Sequence, residues 1–458
     1  MSGKQSRPGI DLELTERAVE AALAAGAGDA EAYASEAKGR EVRAHAGAVE
    51  SLTAAIQVGL GVRAWIGGRA GYGFGTDLSL AGVAAIAARA VEAARVADED
   101  EFAGPPEPAG VPPEVAGLDD RSVGEWSSAE VTELALAVER TALDADPRIA
   151  GVEQAVYADS VRTVAVSAST AVSGSFTAST CYAYLQALAD SGGSRETGLG
   201  FGLARGPADL DPRAIGCEGA ERATAMIGAC KPGSRSCPVV LDPTVAASFV
   251  GILGGVLGAD AVQRGRSPLA DRIGDTVASD AFVLHDDGLV PDGFASSPID
   301  DEGVPRRRTA LIENGALRTY LYDTYTARRG DTGSTGNAGR SGYRARPSVS
   351  ASNLIVAPGS ASFEELLGET GDGVYITDVA GLHSGVNPVS GVFSVGASGR
   401  AIRSGELAEP LREFTVASDL VSMLLAVRAA AAEARWVPFD GSISTPALLI
   451  GEMTVSGS

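Results

Sequence analysis

The chain has 458 residues, with 45% apolar and 21% charged side chains, a balance that excludes intrinsic disorder and a membrane-embedded protein. Only 5% of residues are aromatic while 58 are Gly, so the core has to be built from Ala, Val, Leu and Ile with many tight backbone contacts. Fifty-nine acidic against 37 basic residues give a net charge of −22, which argues against attraction to nucleic acid or to an anionic membrane.

Met1 to Leu12 carry charge and no apolar core of a signal peptide. Residues 13–25 place Leu14, Ala18, Val19 and Leu23 at helical spacing, and Gly26 supplies the stop. Alternating stretches at 30–36 and 51–66 predict strands, and Gly67-Gly68 suits a tight hairpin. A second helix is expected at 78–97. Five of the 22 prolines fall between Ala103 and Gly117, where neither helix nor ladder accommodates them, so 103–118 is expected to be a linker. The same order then recurs, with a helix at 127–145, extended segments at 150–157, 161–168 and 172–188, and a helix at 211–229. Two related helix–strands–helix units are therefore expected.

From Ser236 short strands with explicit turns take over. Arg308 to Ile312 and Ala316 to Tyr322 flank Asn314-Gly315, and Ala401 to Glu406 marks a second hairpin. The apolar run Val245 to Ala259 stops at Asp260, too short to span a bilayer, and predicts a helix buried on all sides. A long helix over 416–435 is expected before a last strand at 447–455. The expected fold class is α+β: two N-terminal helix–strands–helix units, then a β-rich C-terminal domain carrying two helices. The boundaries fall at 1–102 for the first unit, 103–118 for the linker, 119–235 for the second unit and 236–458 for the C-terminal domain.

Four cysteines (Cys181, Cys217, Cys230, Cys237) at uneven spacing, without C-x-x-C, fit buried small hydrophobes of a reducing compartment, and the expected location is the cytoplasm. Only three His occur (His45, His285, His383) and no H-E-x-x-H, so a zinc-hydrolase site is not expected in this chain. His285-Asp286-Asp287 could bind a cation, but a solvated turn is the expected reading. Gly333 to Ser341 has Ser334 and Arg340 where a phosphate loop needs Gly and Lys. Gly198 to Gly202 is no dinucleotide fingerprint, and both segments predict flexible loops. Residues 381–391 gather His383, Ser384, Asn387 and Ser390 among three Gly. Such density suits either a peptide groove or an irregular loop closed by its own side chains. A His383–Ser384 dyad is poor, because neighbours on an extended chain point to opposite faces.

Several segments taken in order carry a resemblance: Val239 to Pro243, Ala261 to Ser267, Ile299-Asp300-Asp301-Glu302-Gly303-Val304-Pro305, Leu311 to Gly315, Gly336-Asn337, and His383 to Gly391 followed by Phe393-Ser394. Together they resemble the TldD/PmbA family, historically called modulators of DNA gyrase, and within it the PmbA (TldE) branch. The likeness is strong over the last half and rests on element order over the first. It implies a component of a cytoplasmic zinc-dependent peptidase made of two related chains. The catalytic branch carries H-E-x-x-x-H on the helix that opens the C-terminal domain and a Cys near the chain end. Here that window, Asp242 to Gly251, holds neither His nor Glu, and no Cys follows Cys237. The resemblance thus implies no catalytic residue, cofactor or metal in this chain, and zinc in a TldD-like catalytic homologue as its partner. Peptide is the implied substrate, and no nucleic acid or membrane is expected as a partner. Candidate peptide-groove or partner-contact residues are His383, Ser384, Asn387, Ser390, Asn337 and Arg340. A stand-alone peptide-binding or scaffold protein, including a homodimeric one, is the rival reading, and a zinc-independent hydrolase using His383 comes last.

Overall fold

The computed structural model describes residues 9–457, so the first eight positions of the Met1–Leu12 segment lie outside the described residues. Along the chain, α1 (Leu12–Ala24), β1 (Asp29–His45), β2 (Ala48–Ile66), β3 (Arg69–Gly75) and α2 (Leu80–Val96) form the first helix–strands–helix unit. After a Pro-rich connection, the one-turn α3 (Ser122–Glu125) leads into α4 (Ser128–Ala145), β4 (Ile149–Ala168), β5 (Ser173–Ser191), β6 (Ser194–Ala204) and α5 (Pro212–Thr224). Local chemistry sets the ends of these elements. Asp11 caps α1 by accepting from the Leu14 backbone N–H, and Ser127 with Glu130 closes a capping box on α4. Gly67 and Gly68 take φ of +56° and +76°, the left-handed values of the two-residue turn between β2 and β3. Leu14, Ala18 and Val19 are buried as their spacing predicts, whereas Leu23 is exposed and Ala22 completes the face.

Both units build one antiparallel sheet in the order β3-β2-β1-β4-β5-β6, closed at its centre by β1 pairing with β4 from Glu31↔Ala168 to Ala44↔Ala155. Side chains alternate along a strand, so Ala30, Ala32, Ala34, Val42 and Ala44 of β1 share one face. That face is covered by α1, α2, α4 and α5. Glu31, Tyr33 and Ser35 lie on the opposite face, where Tyr33 packs with Ile299 and Tyr343 of the C-terminal part. Gly198 to Gly202, expected as a loop, belongs to β6 instead. Glycines that look like loop residues here admit a helix: a Cβ on Gly200 would lie 2.0 Å from the Ile215 carbonyl oxygen of α5.

The C-terminal part opens with β7 (Arg235–Leu241), α6 (Pro243–Val256) and α7 (Ala259–Gln263). Short elements follow: β8 (Leu284–Asp287), β9 (Arg308–Glu313), β10 (Ala316–Leu317), α8 (Thr324–Arg329), β11 (Ala338–Gly339), β12 (Ser348–Val349), β13 (Asn353–Val356) and α9 (Phe363–Thr370). The chain continues through β14 (Gly373–Ala380), α10 (Leu382–Gly385), β15 (Val392–Arg403), β16 (Glu406–Asp419), α11 (Leu420–Leu425), β17 (Val427–Val437) and β18 (Ser442–Ser456). Ten of these strands form a mixed sheet in which β18 pairs with β13, β16, β17 and β7. Helix α6 is buried against it through Val245, Ala246, Phe249, Val250 and Leu253. Asn314 and Gly315, with φ of +51° and +69°, make the turn that the Asn-Gly pair predicts.

The long helix expected over 416–435 is not formed. β16 runs to Asp419, α11 lasts six residues under an Asp419 cap, and β17 follows. The run is Ala-rich and favours helix by itself, but β17 pairs with β18 from Val427↔Ile450 to Val437↔Ile443, and this pairing overrides propensity. His285-Asp286-Asp287 is likewise no solvated turn. It forms β8 between β9 and β13, with His285 and Asp286 buried.

Candidate functional site

Where the N-terminal sheet meets the C-terminal part, two adjoining cavities of about 530 Å³ and about 600 Å³ share Arg162, Arg340 and Ser341 as walls. The floor of the first follows from strand pairing. Ser160 stands opposite Thr180, Arg162 opposite Ala178 and Val164 opposite Phe176, so the alternate residues of β4 and β5 share one face. The C-terminal wall comes from Phe294, Ser296, Ser297, Asp301 and Arg306 with the 339–351 segment.

A relay of opposite charges locks this junction. Arg162 Nη2 lies 3.0 Å from Asp301 Oδ1 and donates to the Tyr33 hydroxyl at 2.7 Å. The Arg340 side chain is wholly buried, pairs with Glu31, donates through Nε to the Asp301 carbonyl at 3.0 Å and stacks over the Tyr33 ring. Arg63 pairs with Glu31 and also with Glu302, at 2.7 Å. Burial alone pushes the Glu302 carboxyl up, but Arg63 and the Thr324 donor overcome it and hold Glu302 below its ordinary range. Asp300 goes the other way, raised by burial and by the charge of Glu302, although it accepts from the backbone N–H groups of Glu302, Val304 and Ala338. Asp300-Asp301-Glu302 thus pins the junction: two of its carboxylates reach arginines of the first sheet, and the third folds its own loop and ties it to β11.

The structure divides the six candidate residues. Arg340 forms the shared wall of both cavities. Asn337 is fully buried behind it, donating to Asp286 Oδ2 at 2.8 Å and to the Ser350 carbonyl at 3.2 Å. Asp286 also accepts from the backbone and hydroxyl of Ser352, and burial raises its carboxyl. His383 and Ser384 on the one-turn α10, and Asn387 and Ser390 on the loop after it, are exposed and line neither cavity that Arg340 lines. The Asn387 carboxamide accepts from the backbone N–H groups of Val389 and Ser390 and so closes that loop itself. Sequence reasoning missed Arg162, Arg306 and Glu31. Arg162 and Glu31 lie within strands and Arg306 opens a run of three arginines, and only the meeting of distant elements gives each a role.

The helix that opens the C-terminal domain bears on metal chemistry. Asp242 caps α6, and its carboxylate also receives the Tyr375 hydroxyl at 2.6 Å and Arg222 Nη2 at 3.2 Å. Beyond it, α6 offers Thr, Ser, Gly and hydrocarbon side chains, with no His, Glu or Cys. Among the described residues no group of three His, Cys, Asp or Glu is placed to hold an ion. His45 bonds the Val152 carbonyl, His285 is buried in β8 with its ring nitrogen Nδ1 unpartnered, and His383 is exposed on α10. These donors do not fit a zinc ion.

The chain thus combines a two-unit antiparallel sheet with a ten-stranded mixed sheet in one α+β architecture. Family models described as PmbA/TldA metallopeptidase domain 1, central domain and C-terminal domain match residues 30–94, 121–227 and 234–457. The chain belongs to the PmbA/TldD family. It is 29% identical to Metalloprotease PmbA of Escherichia coli O157:H7 over 90% of each chain. It is 27% identical to Metalloprotease PmbA homolog of Haemophilus influenzae over 96% of this chain and 95% of that one. A Thermotoga maritima crystal structure described as a modulator of a DNA gyrase superposes with a TM-score of 0.89 at 26% identity, covering 97% of this chain and 99% of the other. TldE from Thermococcus kodakarensis shares the fold with a TM-score of 0.88 at 22% identity, over 96% and 99%. Relatives are thus named as metalloproteases. No helix of this chain is long and apolar enough to cross a membrane among the described residues.

Proposed function

We propose that this chain is a non-catalytic subunit of a TldD/TldE-type zinc metalloprotease complex that acts in the cytoplasm on unfolded or small peptides. The observation that carries the reading is α6: the helix opening a C-terminal domain of the PmbA/TldD family offers no metal-binding side chain. The chain then completes a substrate chamber, while a TldD-like homologue contributes zinc and the general base. The sequence boundaries at 102, 118 and 235 mark three cooperating units in this reading, and the exposed segment of α10 and the following loop with His383, Ser384, Asn387 and Ser390 is available to the partner or to peptide. An extended peptide would be held by main-chain hydrogen bonds along a strand edge, which tolerates many sequences. β2 offers such an edge: β3 pairs with it only from Leu60 onward, leaving 48–59 with no strand on that side among the described residues.

The test is a mixing experiment with an H-E-x-x-x-H homologue and an unstructured peptide. Cleavage is expected only in the mixture, together with co-elution of the two chains. Equal cleavage by the homologue alone, or separate elution at micromolar concentration, would favour the second reading, a stand-alone peptide-binding module, for which the same open β2 edge speaks.

A further inference from the structure

In a chain of net charge −22, Arg162 and Arg340 line both cavities at the sheet junction, Arg306 and the acid Asp301 line the first alone, and Arg344 lines the second, which no acid lines. Arg162 and Arg340 are committed to Asp301 and Glu31. Arg306 and Arg344 have no carboxylate within ion-pair distance among the described residues. Arg306 is fixed by neutral acceptors instead, with Nε 2.9 Å from Ser297 Oγ and Nη1 3.0 Å from the Gly336 carbonyl. Two carboxylates lie behind it, but Asp286 is saturated by Asn337 and Ser352, and Asp300 by three backbone N–H groups. The Arg344 side chain is exposed, stacks on Tyr343 and gives Nε to that hydroxyl at 3.1 Å. The second cavity is also walled by Ile56, Gln57 and Val58, part of the open edge of β2.

We infer that this junction selects peptides bearing carboxylates: an extended segment lies along the β2 edge near residues 56–59 and delivers an acidic side chain or a terminal carboxylate to Arg344, in the cavity that this edge walls, or to Arg306, in the cavity adjoining it. The inference rests on the peptide-handling role proposed above and adds the substrate class. Each of these guanidiniums, held with unspent donors, matches carboxylate geometry by itself. An open strand edge supplies main-chain bonds that a nucleic acid lacks, and the surrounding charge of −22 repels a polyanion while a single carboxylate still reaches the groove.

The experiment measures fluorescence anisotropy of labelled unstructured dodecapeptides on the full-length chain at low and physiological salt. Three peptides of matched length are compared: neutral and amidated, internally acidic and amidated, and neutral with a free terminal carboxylate. At least one carboxylate-bearing peptide is expected to bind about tenfold tighter than the neutral one, as one charge-assisted bond gives, and which one it is identifies the source of the carboxylate. Arg306→Gln with Arg344→Gln should abolish the preference and the lysine pair should keep part of it, whereas Arg318→Gln, on an exposed side chain outside both cavities, should change nothing. If the double variant does not fold by circular dichroism, Arg344→Gln alone decides, because its exposed side chain bonds only Tyr343. Equal binding of all three peptides, a preference that survives the glutamine variants, or tighter binding of a single-stranded oligonucleotide overturns the inference. Because a single chain suffices, that failure is distinct from failure of the complex, which shows only when the homologue is mixed in.

Discussion

Arg340 and Glu31 lie 309 positions apart and meet with no water-exposed side-chain surface to speak of, at 0% and 1% exposure. Removing one member of such a pair strands the other charge in a low-dielectric site, which costs about 3–5 kcal/mol. Arg340→Met should therefore lower the urea midpoint strongly, as should Glu31→Gln, which also frees Arg63 from one of its two partners. The double variant should lose clearly less than the two losses combined, because the stranded charge disappears with its partner. Additive losses would show that the relay is not a unit. Sequence made part of this legible: Ile299 to Pro305 and Gly336-Asn337 stood out as motifs, and Arg340 as a candidate. What it left hidden was direction. Nothing in local spacing says that Asp301 and Glu302 reach arginines of the first sheet, or that Asn337 turns inward to Asp286, because both depend on contacts between remote segments.

Helix α5 lies so close to β6 that a Cβ on Gly198 would come 2.2 Å from the Ala223 nitrogen, and α2 approaches β3 in the same way, with a Cβ on Gly71 2.0 Å from the Ala90 carbonyl oxygen. The two helix–strands–helix units therefore share a packing device as well as an order of elements. Gly200→Ala should destabilise by about 1–3 kcal/mol, since backbone has to move to admit the methyl. Gly151→Ala in β4, where nothing stands within 4 Å of the added carbon, should stay within about 0.5 kcal/mol of the parent. Matched thermal melts of the two variants decide, and equal losses would refute the close-packing account. Reading the Gly-rich stretch of β6 as a loop weighed composition and missed this partner helix. The 416–435 segment failed for the complementary reason: alanine favours helix, yet β18 was waiting as a strand partner. Elements bounded by a cap or an Asn-Gly or Gly-Gly turn, such as α1, α4 and the hairpins, were legible because the signal is local.

At the scale of the molecule, a chain of net charge −22 gathers arginines from both of its parts at one junction. That junction is possible because the first sheet presents helices on one face and keeps the other for the C-terminal part. The sheet itself is completed only by β1 pairing with β4, strands separated by α2, the Pro-rich connection and α4. This pairing has a consequence for vectorial synthesis. As the chain emerges, the first unit assembles with the long inner edge of β1 bare, apolar alanines on one side and unsatisfied amides along its length, until β4 arrives more than a hundred residues later. A fragment ending at residue 118 should accordingly self-associate on sizing at micromolar concentration, and a well-folded monomer would contradict it. The nascent protein thus passes through an interval in which its first half is most prone to pair with a neighbour on the same messenger, and the speed of translation through the Pro-rich stretch sets how long that interval lasts.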